Sequence, residues 1–443
     1  MDSGQLESVV SDALKAGADA AEAVFAERSS LDVGVRDGRL EEVERSEGAE
    51  LGVRVFVGQR QAMVSGSDLS APALARMIER AVAMARLAPE DPYAGLAPSD
   101  RLARGALPEL DLLDDAEPSP EALERQALAA EAAAAAAQGV TKSEGANAGF
   151  SRGHWRMATS EGFAGEHAAS RYSLSASAIA GTGAGMERAG DWSTVRKLED
   201  LASPESIGAE AGRRAAARVG PRKLSSRTAP VIFENRVAAS LIGPLLGAIA
   251  GPSVARGTSF LKSKLGERVF AEGVTIVDDP HRPRGLGSTP FDDEGVCNGR
   301  RALVDDGVLT GWLLNIASAR QLGLETTGHA SRGGAGAPGV STTNCWMEPG
   351  AADLEALMAQ AGTGLLVDSL FGPSLNPNTG DWSVGVQGFW FEGGERAYPV
   401  SEITVAGNLI DLYARLVPGS DLEFRSSTNA PSVLIDAVAI AGK

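Results

Sequence analysis

The sequence predicts an α+β fold in two domains. These are an N-terminal α/β layered domain, an antiparallel meander plus helices, over residues 1–222, and a C-terminal mainly β domain over residues 223–443. Three observations support this. The chain has 443 residues, which is too long for one ordinary domain. In its first half, segments with apolar residues at helical spacing are followed by segments with an apolar residue at every second position, as in strands. Its second half is rich in glycine and in short strand-like segments joined by turn dipeptides.

The first elements are a short helix and an antiparallel meander. Apolar residues recur at helical spacing over residues 6–14, and Gly17 ends the helix. The period then becomes two over residues 31–35 and again over 51–57. Asp37-Gly38, between these segments, is a strong signal for a hairpin turn. We therefore expect paired strands here.

Helices are predicted to follow the strands. Ser70 and Pro72 begin a helix, and residues 88–118 form an extended connection rich in Pro, Gly and Asp. Ser119 begins a second helix, which runs through an alanine-rich segment. Strand-like residues 140–194 and a further helix complete a layer of helices on strands.

The second half is predicted to be built from hairpins. Residues 221–230, "PRKLSSRTAP", have the composition of a domain boundary. Beyond them, Asp306-Gly307 and Gly393-Gly394 each lie between two strand-like segments and predict hairpin turns.

Composition restricts the partners and the compartment. The net charge of -17 disfavours contact with nucleic-acid phosphate, so we expect no nucleic-acid partner. Two cysteines cannot form a disulfide framework in a chain of this length, which favours a reducing compartment. The N-terminus lacks the features of a signal peptide, and no apolar run has the length of a membrane span. We therefore expect a cytoplasmic protein without a membrane partner.

Residues 275–297, "TIVDDPHRPRGLGSTPFDDEGVC", raise the question of a metal site. Carboxylate, imidazole and thiolate groups are common ligands of zinc. The chain has four histidines, however, and no two of them have the spacing of a zincin helix. The Asp, Pro and Gly content predicts a polar loop, which can line a cleft. The alternative is a metallohydrolase site made by Asp279, His281, Asp292 and Glu294.

The chain resembles the TldD/PmbA metalloprotease family, and within it the PmbA (TldE) branch. The segments that carry the resemblance include "VIFENRVAASLIGPLLGAIAG", "TIVDDPHRPRGLGSTPFDDEGV", "ARQLGLETTGHASRGG" and "TGDWSVGVQGFWFEGGERAYPVSEITVAGNL". An N-terminal segment, "VRDGRLEEVERSEGAELGVRVFVGQRQAMVS", fits the family's opening meander. The resemblance extends over nearly the whole chain and is weakest over residues 88–200.

This resemblance implies a subunit of a cytoplasmic metalloprotease complex that acts on unfolded peptides or peptide precursors. In the family, TldD-branch chains bind zinc with a His-Glu-x-x-x-His helix and a later cysteine, and PmbA-branch chains pair with them. The matching segment here begins at Asn235 and offers no histidine, and Ala430 or a neighbour stands in place of the cysteine. We therefore expect an apolar packing helix, kinked at Pro244, with no catalytic residue and no metal in this chain. Zinc is expected in a TldD-type partner, in a heterodimer; a homodimer is the alternative.

Four residues are candidates for contact with a substrate or with a subunit interface. They are His329, Arg332, Asn408 and Asp292. The alternative for each is loop hydrogen bonding or a place on the solvated surface. A third function remains open, that of a regulatory binding protein, since the family has been linked to modulation of DNA gyrase.

Overall fold

The first half of the chain is organised around one antiparallel sheet of six strands. In this computed structural model, which describes residues 1–442, the strand order is β3-β2-β1-β4-β5-β6. The strands are β1 (Ala20–Arg36), β2 (Arg39–Val57), β3 (Arg60–Gly66), β4 (Val140–Thr159), β5 (Ala164–Ala180) and β6 (Glu187–Val195). Asp37 and Gly38 join β1 to β2 with φ of 52° and 70°, and this confirms the predicted hairpin turn.

Four helices cover one face of this sheet. They are α1 (Ser3–Lys15), α2 (Ala71–Leu87), α3 (Pro120–Ala136) and α4 (Pro204–Ala217). Helices α1 and α2 pack on Ala21, Ala23 and Phe25 of β1, whereas α3 and α4 pack on Leu31 and Val33. These positions are all odd, so their side chains leave β1 on the same side. Helices α3 and α4 have serine caps, but Ser70, before α2, makes no side-chain cap hydrogen bond.

The second half contains a closed ring of strands. Its six-stranded sheet has the order β16-β15-β14-β7-β19-β17, and β16 also pairs with β19. The strands are β7 (Arg227–Phe233), β14 (Thr363–Leu375), β15 (Asp381–Glu392), β16 (Glu395–Asn408), β17 (Leu416–Pro418) and β19 (Val433–Ala441). Because β16 meets β19, five of these strands form a small barrel around an apolar core.

A second sheet and short helices surround this barrel. The sheet has the order β10-β9-β8-β13-β18, and β11 pairs with β12 separately. These strands are β8 (Ile276–Asp278), β9 (Arg301–Asp305), β10 (Val308–Leu309), β11 (Ala330–Ser331), β12 (Gly339–Val340), β13 (Cys345–Met347) and β18 (Thr428–Asn429). The helices are α5 (Asn235–Ala238), α6 (Ile242–Ile249), α7 (Gly251–Ala255), α8 (Ile316–Leu322), α9 (Leu354–Ala361) and α10 (Leu409–Tyr413).

The α+β fold is confirmed, with helices layered on the first sheet and strands dominating the second half. Residues 88–118 contain no helix or named strand, as expected for an extended connection. One apolar cluster joins the two halves, since it includes Val24 and Met157 from the first sheet and Phe291 and Ile316 from the second half. In the described part of the chain, no helix has the length and apolarity needed to cross a membrane.

Candidate functional site

The segment that follows β7 forms the floor of the cavity described below. It is divided into α5, a 3₁₀ turn over Ala239–Leu241, and α6. Pro244 lies in the first turn of α6, so the helix restarts just before the proline, as its missing N–H and fixed φ lead us to expect. Asn235 does not cap the segment. Glu234 occupies the N-cap position without a side-chain hydrogen bond.

Helix α6 has an apolar face that is buried and another face that carries two exposed glycines. Ile242, Leu245 and Ile249 are buried in the barrel core. Gly243 and Gly247 are exposed, and a Cβ atom added to either would meet nothing within 4 Å. Residues four apart lie on the same side of a helix, so the two glycines leave open space along α6.

This open space is a cavity of about 640 Å³ between α6 and the β14–β15 hairpin. Its wall is formed by the 3₁₀ turn and α6, by α7 and the residues after it, and by the adjoining ends of β14 and β15 with their connection. The lining residues are Ser240, Gly243, Pro244, Gly247, Ala248, Ser253, Thr258, Phe260, Leu370, Pro373, Leu375, Pro377, Trp382 and Val384. None of these side chains is charged, and the hydroxyl groups of two serines and one threonine are its main polar atoms. The cavity is suited to apolar groups.

The residues beside this cavity do not fit zinc. The side chains of α5 and the 3₁₀ turn include no histidine or cysteine, and the carboxylate of Glu234 is held by Arg214 at 2.6 Å. Ala430, which with its neighbours stands where the resemblance places the family's zinc cysteine, is buried and its side chain has no metal-binding atom. Within residues 1–442, no three His, Cys, Asp or Glu side chains are grouped to hold a metal ion.

The start of α5 instead takes part in a charged contact between the two halves. Besides the pair of Arg214 with Glu234, Arg218 of the first half lies 2.9 Å from Asp368 of β14. Arg236 of α5 lies 2.6 Å from Asp191 of β6. The expectation of a purely apolar packing helix is therefore wrong for α5 and correct for α6, because the two ends of the segment face different surroundings.

Burial and ion pairing act in opposite directions on the carboxyl groups of this contact. Burial raises the pKa of Asp191, but Arg236 and Arg425 more than offset this, so its pKa lies below the ordinary value. For Asp368, burial outweighs the attraction of Arg218 and Arg214, and its pKa is raised. Side chains from distant segments thus determine the charge of this contact.

Residues 275–297 form strand β8 and the loop after it, and the carboxylates of this segment are held by hydrogen bonds. Asp278 accepts from the backbone N–H of Thr343 at 2.8 Å and from its hydroxyl at 2.9 Å. Asp279 accepts from the N–H of His281, whose Nε2 lies 2.8 Å from Asn298 Oδ1. This is the arrangement of a polar turn.

The second acidic group in this loop is buried. Asp292 accepts from the N–H groups of Glu294, Val296 and Ala330, and Glu294 accepts from Ile316 at 2.7 Å. Burial raises the pKa of Glu294 to about 7. The pKa of Asp292 is also raised, mainly by burial and to a smaller extent by repulsion from Glu294. The alternative metal site is therefore not supported, since Asp279, His281, Asp292 and Glu294 are bound to separate partners.

The same loop joins the two halves. Phe291 packs edge-on against Phe163 of the first half, with ring centroids 5.0 Å apart. Val296 pairs with Leu102, and Arg284 lies 2.7 Å from Asp111. No residue of the loop lines the α6 cavity. We call residues 275–297 the clasp.

The four predicted contact residues are engaged inside the structure. His329 is 3% exposed; its Nε2 lies 3.3 Å from Asp278, and its Nδ1 lies 2.8 Å from the hydroxyl of Thr327. The fully buried guanidinium of Arg332 lies 2.7 Å from Glu22 of the first half. Asp292 is buried as described above.

Asn408 is the fourth of these residues and is half-buried. It caps α10 and donates to the carbonyl of Thr379 at 2.8 Å. A substrate contact by any of the four stays a prediction, and for the three buried residues it would require the surrounding contacts to open.

The cavity residues were not predicted from the sequence. The Gly243-x-x-x-Gly247 spacing, opposite the apolar stripe of α6, was a signal for an open helix face. No sequence pattern connects α6 to Phe260 or Trp382, because these residues approach it only through the tertiary fold.

Comparison with known proteins gives matches over almost the whole chain. Three family models match: PmbA/TldA metallopeptidase domain 1 over residues 21–85, the central domain over 114–219 and the C-terminal domain over 226–442. The chain is 42% identical to the metalloprotease PmbA of Escherichia coli O157:H7, covering 99% of this chain and 96% of that protein. It is 38% identical to a PmbA homolog of Haemophilus influenzae, covering 97% and 94%.

Solved structures with a similar fold are consistent with these sequence matches. A proposed modulator of DNA gyrase from Bacteroides thetaiotaomicron has a TM-score of 0.92 and 28% identity, with 99% of this chain and 98% of that chain covered. TldE from Thermococcus kodakarensis has a TM-score of 0.88 over 98% of this chain and 99% of that chain, and at 23% identity it shows a shared fold. From the three matched domains and the full-length identity to PmbA proteins, the chain belongs to the PmbA/TldD metallopeptidase family, in its PmbA (TldE) branch.

Proposed function

We propose that this chain is a subunit, without its own zinc, of a cytoplasmic metalloprotease complex that acts on unfolded peptides or peptide precursors. One observation carries the proposal: α5 and α6 contain no side chain of the kind that binds zinc, although the relatives of this chain are named metalloproteases. A zinc site needs at least three protein ligands in fixed geometry, and this segment has none to offer.

In this proposal the metal and the bond-breaking chemistry belong to a TldD-type partner. This chain contributes the α6 cavity, together with the contacts that fix α5 and β14 relative to the first half. One of those contacts, Arg218 with Asp368, attaches β14 to the first half, and β14 forms part of the cavity wall. Preformed walls favour binding because little ordering is needed when a peptide enters.

In a heterodimer, the partner would supply the zinc site of a metalloprotease, and this chain would need no zinc-binding side chains of its own. A homodimer would leave the complex without a zinc set, and we therefore place it second. The cytoplasmic location is supported by the two unpaired cysteines, Cys297 and the buried Cys345.

The test compares the purified chain alone with the chain co-purified with a TldD-type protein from the same genome. We expect well under one zinc per subunit in the lone chain by mass spectrometry, and no cleavage of an unfolded casein substrate. The complex should cleave casein in a chelator-sensitive manner. One zinc per subunit in the lone chain, together with cleavage, would overturn the proposal.

A double variant, Asp279→Ala with His281→Ala, separates this proposal from the metallohydrolase alternative. Both residues belong to the clasp and make turn hydrogen bonds there. We expect the complex to keep its zinc content and its rate of cleavage. Loss of zinc in this variant, with the complex still assembled, would favour the alternative.

A further inference from the structure

We propose that the α6 cavity binds one large apolar side chain of an extended peptide and so selects substrates for the complex. This inference rests on the proposed function in taking a peptide as the ligand. It adds a site on this subunit and a side-chain preference, and both can be measured without any cleavage.

The lining of the cavity defines the chemical class of the side chain, and its volume leaves room for a large one. Its volume of about 640 Å³ lies within the range of roughly 300 to 1,000 Å³ that is usual for ligand sites. Aromatic and aliphatic walls come from Phe260 and Trp382 and from Leu370 and Leu375. A charged side chain would lose its hydration here without gaining a partner, since none of the lining residues is charged. The cavity therefore selects Phe, Leu or a similar residue.

The surroundings of the cavity favour a peptide in extended conformation. Strand β14 pairs with β7 only at residues 365–367, whereas it pairs with β15 as far as Leu375. Among residues 1–442, the backbone of β14 over residues 369–371 is thus paired on one side only, before the irregularity at residues 372–373, and Leu370 of this part lines the cavity. An unpaired strand edge offers main-chain donors and acceptors to an extended chain.

The floor allows close approach of a peptide. Gly243 and Gly247 present no side chain, so the backbone of a ligand can lie directly against α6. The hydroxyl of Ser240 in this floor is buried and has no hydrogen-bond partner in the described structure. A small rotation of this side chain toward the cavity would let it bond to a polar atom of the peptide backbone.

The test uses the lone full-length chain and fluorescein-labelled peptides of the form Gly-Ser-Ala-Xaa-Ala-Ser-Gly, with Xaa as Phe, Leu, Ala or Asp. Fluorescence anisotropy should show the Phe and Leu peptides binding roughly 10-fold or more tightly than the Asp peptide. The Ala peptide should lie between them. Equal affinities for Phe and Asp, or no saturable binding of the Phe peptide by about 1 mM, would overturn the inference.

Variants at Gly247 test the location of this site. Gly247→Leu places an apolar side chain at the cavity floor, where its Cβ atom meets nothing within 4 Å, and should weaken binding of the Phe peptide roughly 10-fold. Gly247→Ala should change the affinity much less. The control is Gly4→Leu in α1, where an added Cβ would make only an ordinary contact of 3.5 Å with Asp2. Unchanged affinity for the Phe peptide in folded Gly247→Leu would place the site elsewhere.

The two proposals fail in different experiments. If the complex shows no chelator-sensitive cleavage, the proposed function fails, but the preference of the lone chain for the Phe peptide can still be observed. If peptide binding shows no preference while the complex cleaves casein, only the side-chain pocket is refuted.

Discussion

Buried charges connect the two halves through single residues. Glu22 of β1 lies 2.7 Å from Arg332 and 3.3 Å from Arg54. Burial raises the pKa of Glu22, but the two guanidinium groups more than offset this, so its pKa is lowered and its carboxylate stays charged. Removing one partner of a buried ion pair costs far more than removing an exposed charge.

We expect Arg332→Met to destabilise the chain by about 3 kcal/mol, since Glu22 would keep only Arg54 as a partner. The double variant Glu22→Gln with Arg332→Met should recover part of this loss, and urea unfolding measures both. Wild-type stability in Arg332→Met, with loss of peptide cleavage by the complex, would instead indicate the substrate contact predicted from the sequence.

Glu294 makes stability depend on pH. Burial raises its pKa to about 7, so the folded chain keeps a proton that the unfolded chain releases above about pH 4.3. Stability from this group is therefore fully present at low pH and is lost as the pH rises from about 4.3 through about 7. Glu294→Gln keeps an acceptor for the N–H of Ile316 but has no charge to bury.

At pH 8 the unfolding free energy of this variant should exceed that of the wild type by on the order of 2 kcal/mol. At pH 5 the two proteins should have similar unfolding free energies. Denaturant unfolding at the two pH values gives the comparison, with exposed Glu7→Gln as the control. An equal pH dependence in Glu294→Gln and wild type would show that the carboxyl group is not protonated in the fold.

At the scale of elements, the β15–β16 hairpin offers a matched pair of glycines. Gly393 and Gly394 have φ of 60° and 83°, where a side chain is strained. A Cβ at Gly393 would meet open space, whereas at Gly394 it would lie 3.0 Å from the Cα of Ala359 in α9.

Gly393→Ala should cost about 1 to 2 kcal/mol of unfolding free energy, from backbone strain alone. Gly394→Ala should cost clearly more, because the hairpin must also move away from α9. Thermal or urea unfolding ranks the two variants, and equal losses would mean that α9 shifts without cost.

The interruption before α6 depends on Pro244. Because this residue lies in the first turn of α6, its missing N–H removes no bond that α6 itself needs. Pro244→Ala should therefore change stability by less than about 1 kcal/mol. Because Pro244 is one of fourteen residues that line the α6 cavity, and alanine is also apolar, cleavage by the complex should stay largely intact. A collapse of turnover at unchanged stability and assembly would assign a direct role to this turn.

At the scale of the whole molecule, the clasp holds the two halves together. It contacts Trp155 of the first sheet through Phe291 and the 88–118 connection through Val296. By contrast, residues 104–109 of the connection are exposed. Local opening is easiest where few contacts must break.

Limited digestion with subtilisin should therefore cut first within residues 104–109, while the clasp stays intact until the chain unfolds. Mass spectrometry of the early fragments locates the cuts. First cleavage within residues 275–297 would show that the clasp is a mobile lid, and separate digestion at 221–230 would support the predicted boundary between domains.

The sequence by itself determined the features that depend on neighbouring residues. The alternation of apolar side chains identified strands, and the turns at Asp37-Gly38, Asp306-Gly307 and Gly393-Gly394 all occur where predicted. These are local properties of the backbone, since glycine and aspartate adopt positive φ more readily than most residues do. The family was evident for a related reason, because its motifs are continuous segments of the chain.

Only the tertiary structure decided how distant segments meet. Closure of the barrel by β16 and β19, the pair of Glu22 with Arg332, and the approach of Trp382 to α6 join residues that no local pattern relates. The sequence predicts a contact role for His329 and Asp292, whereas in the fold both are buried and have internal partners. A polar side chain has the same identity in the sequence whether it faces water or a buried partner, and the packing of the two halves determines which.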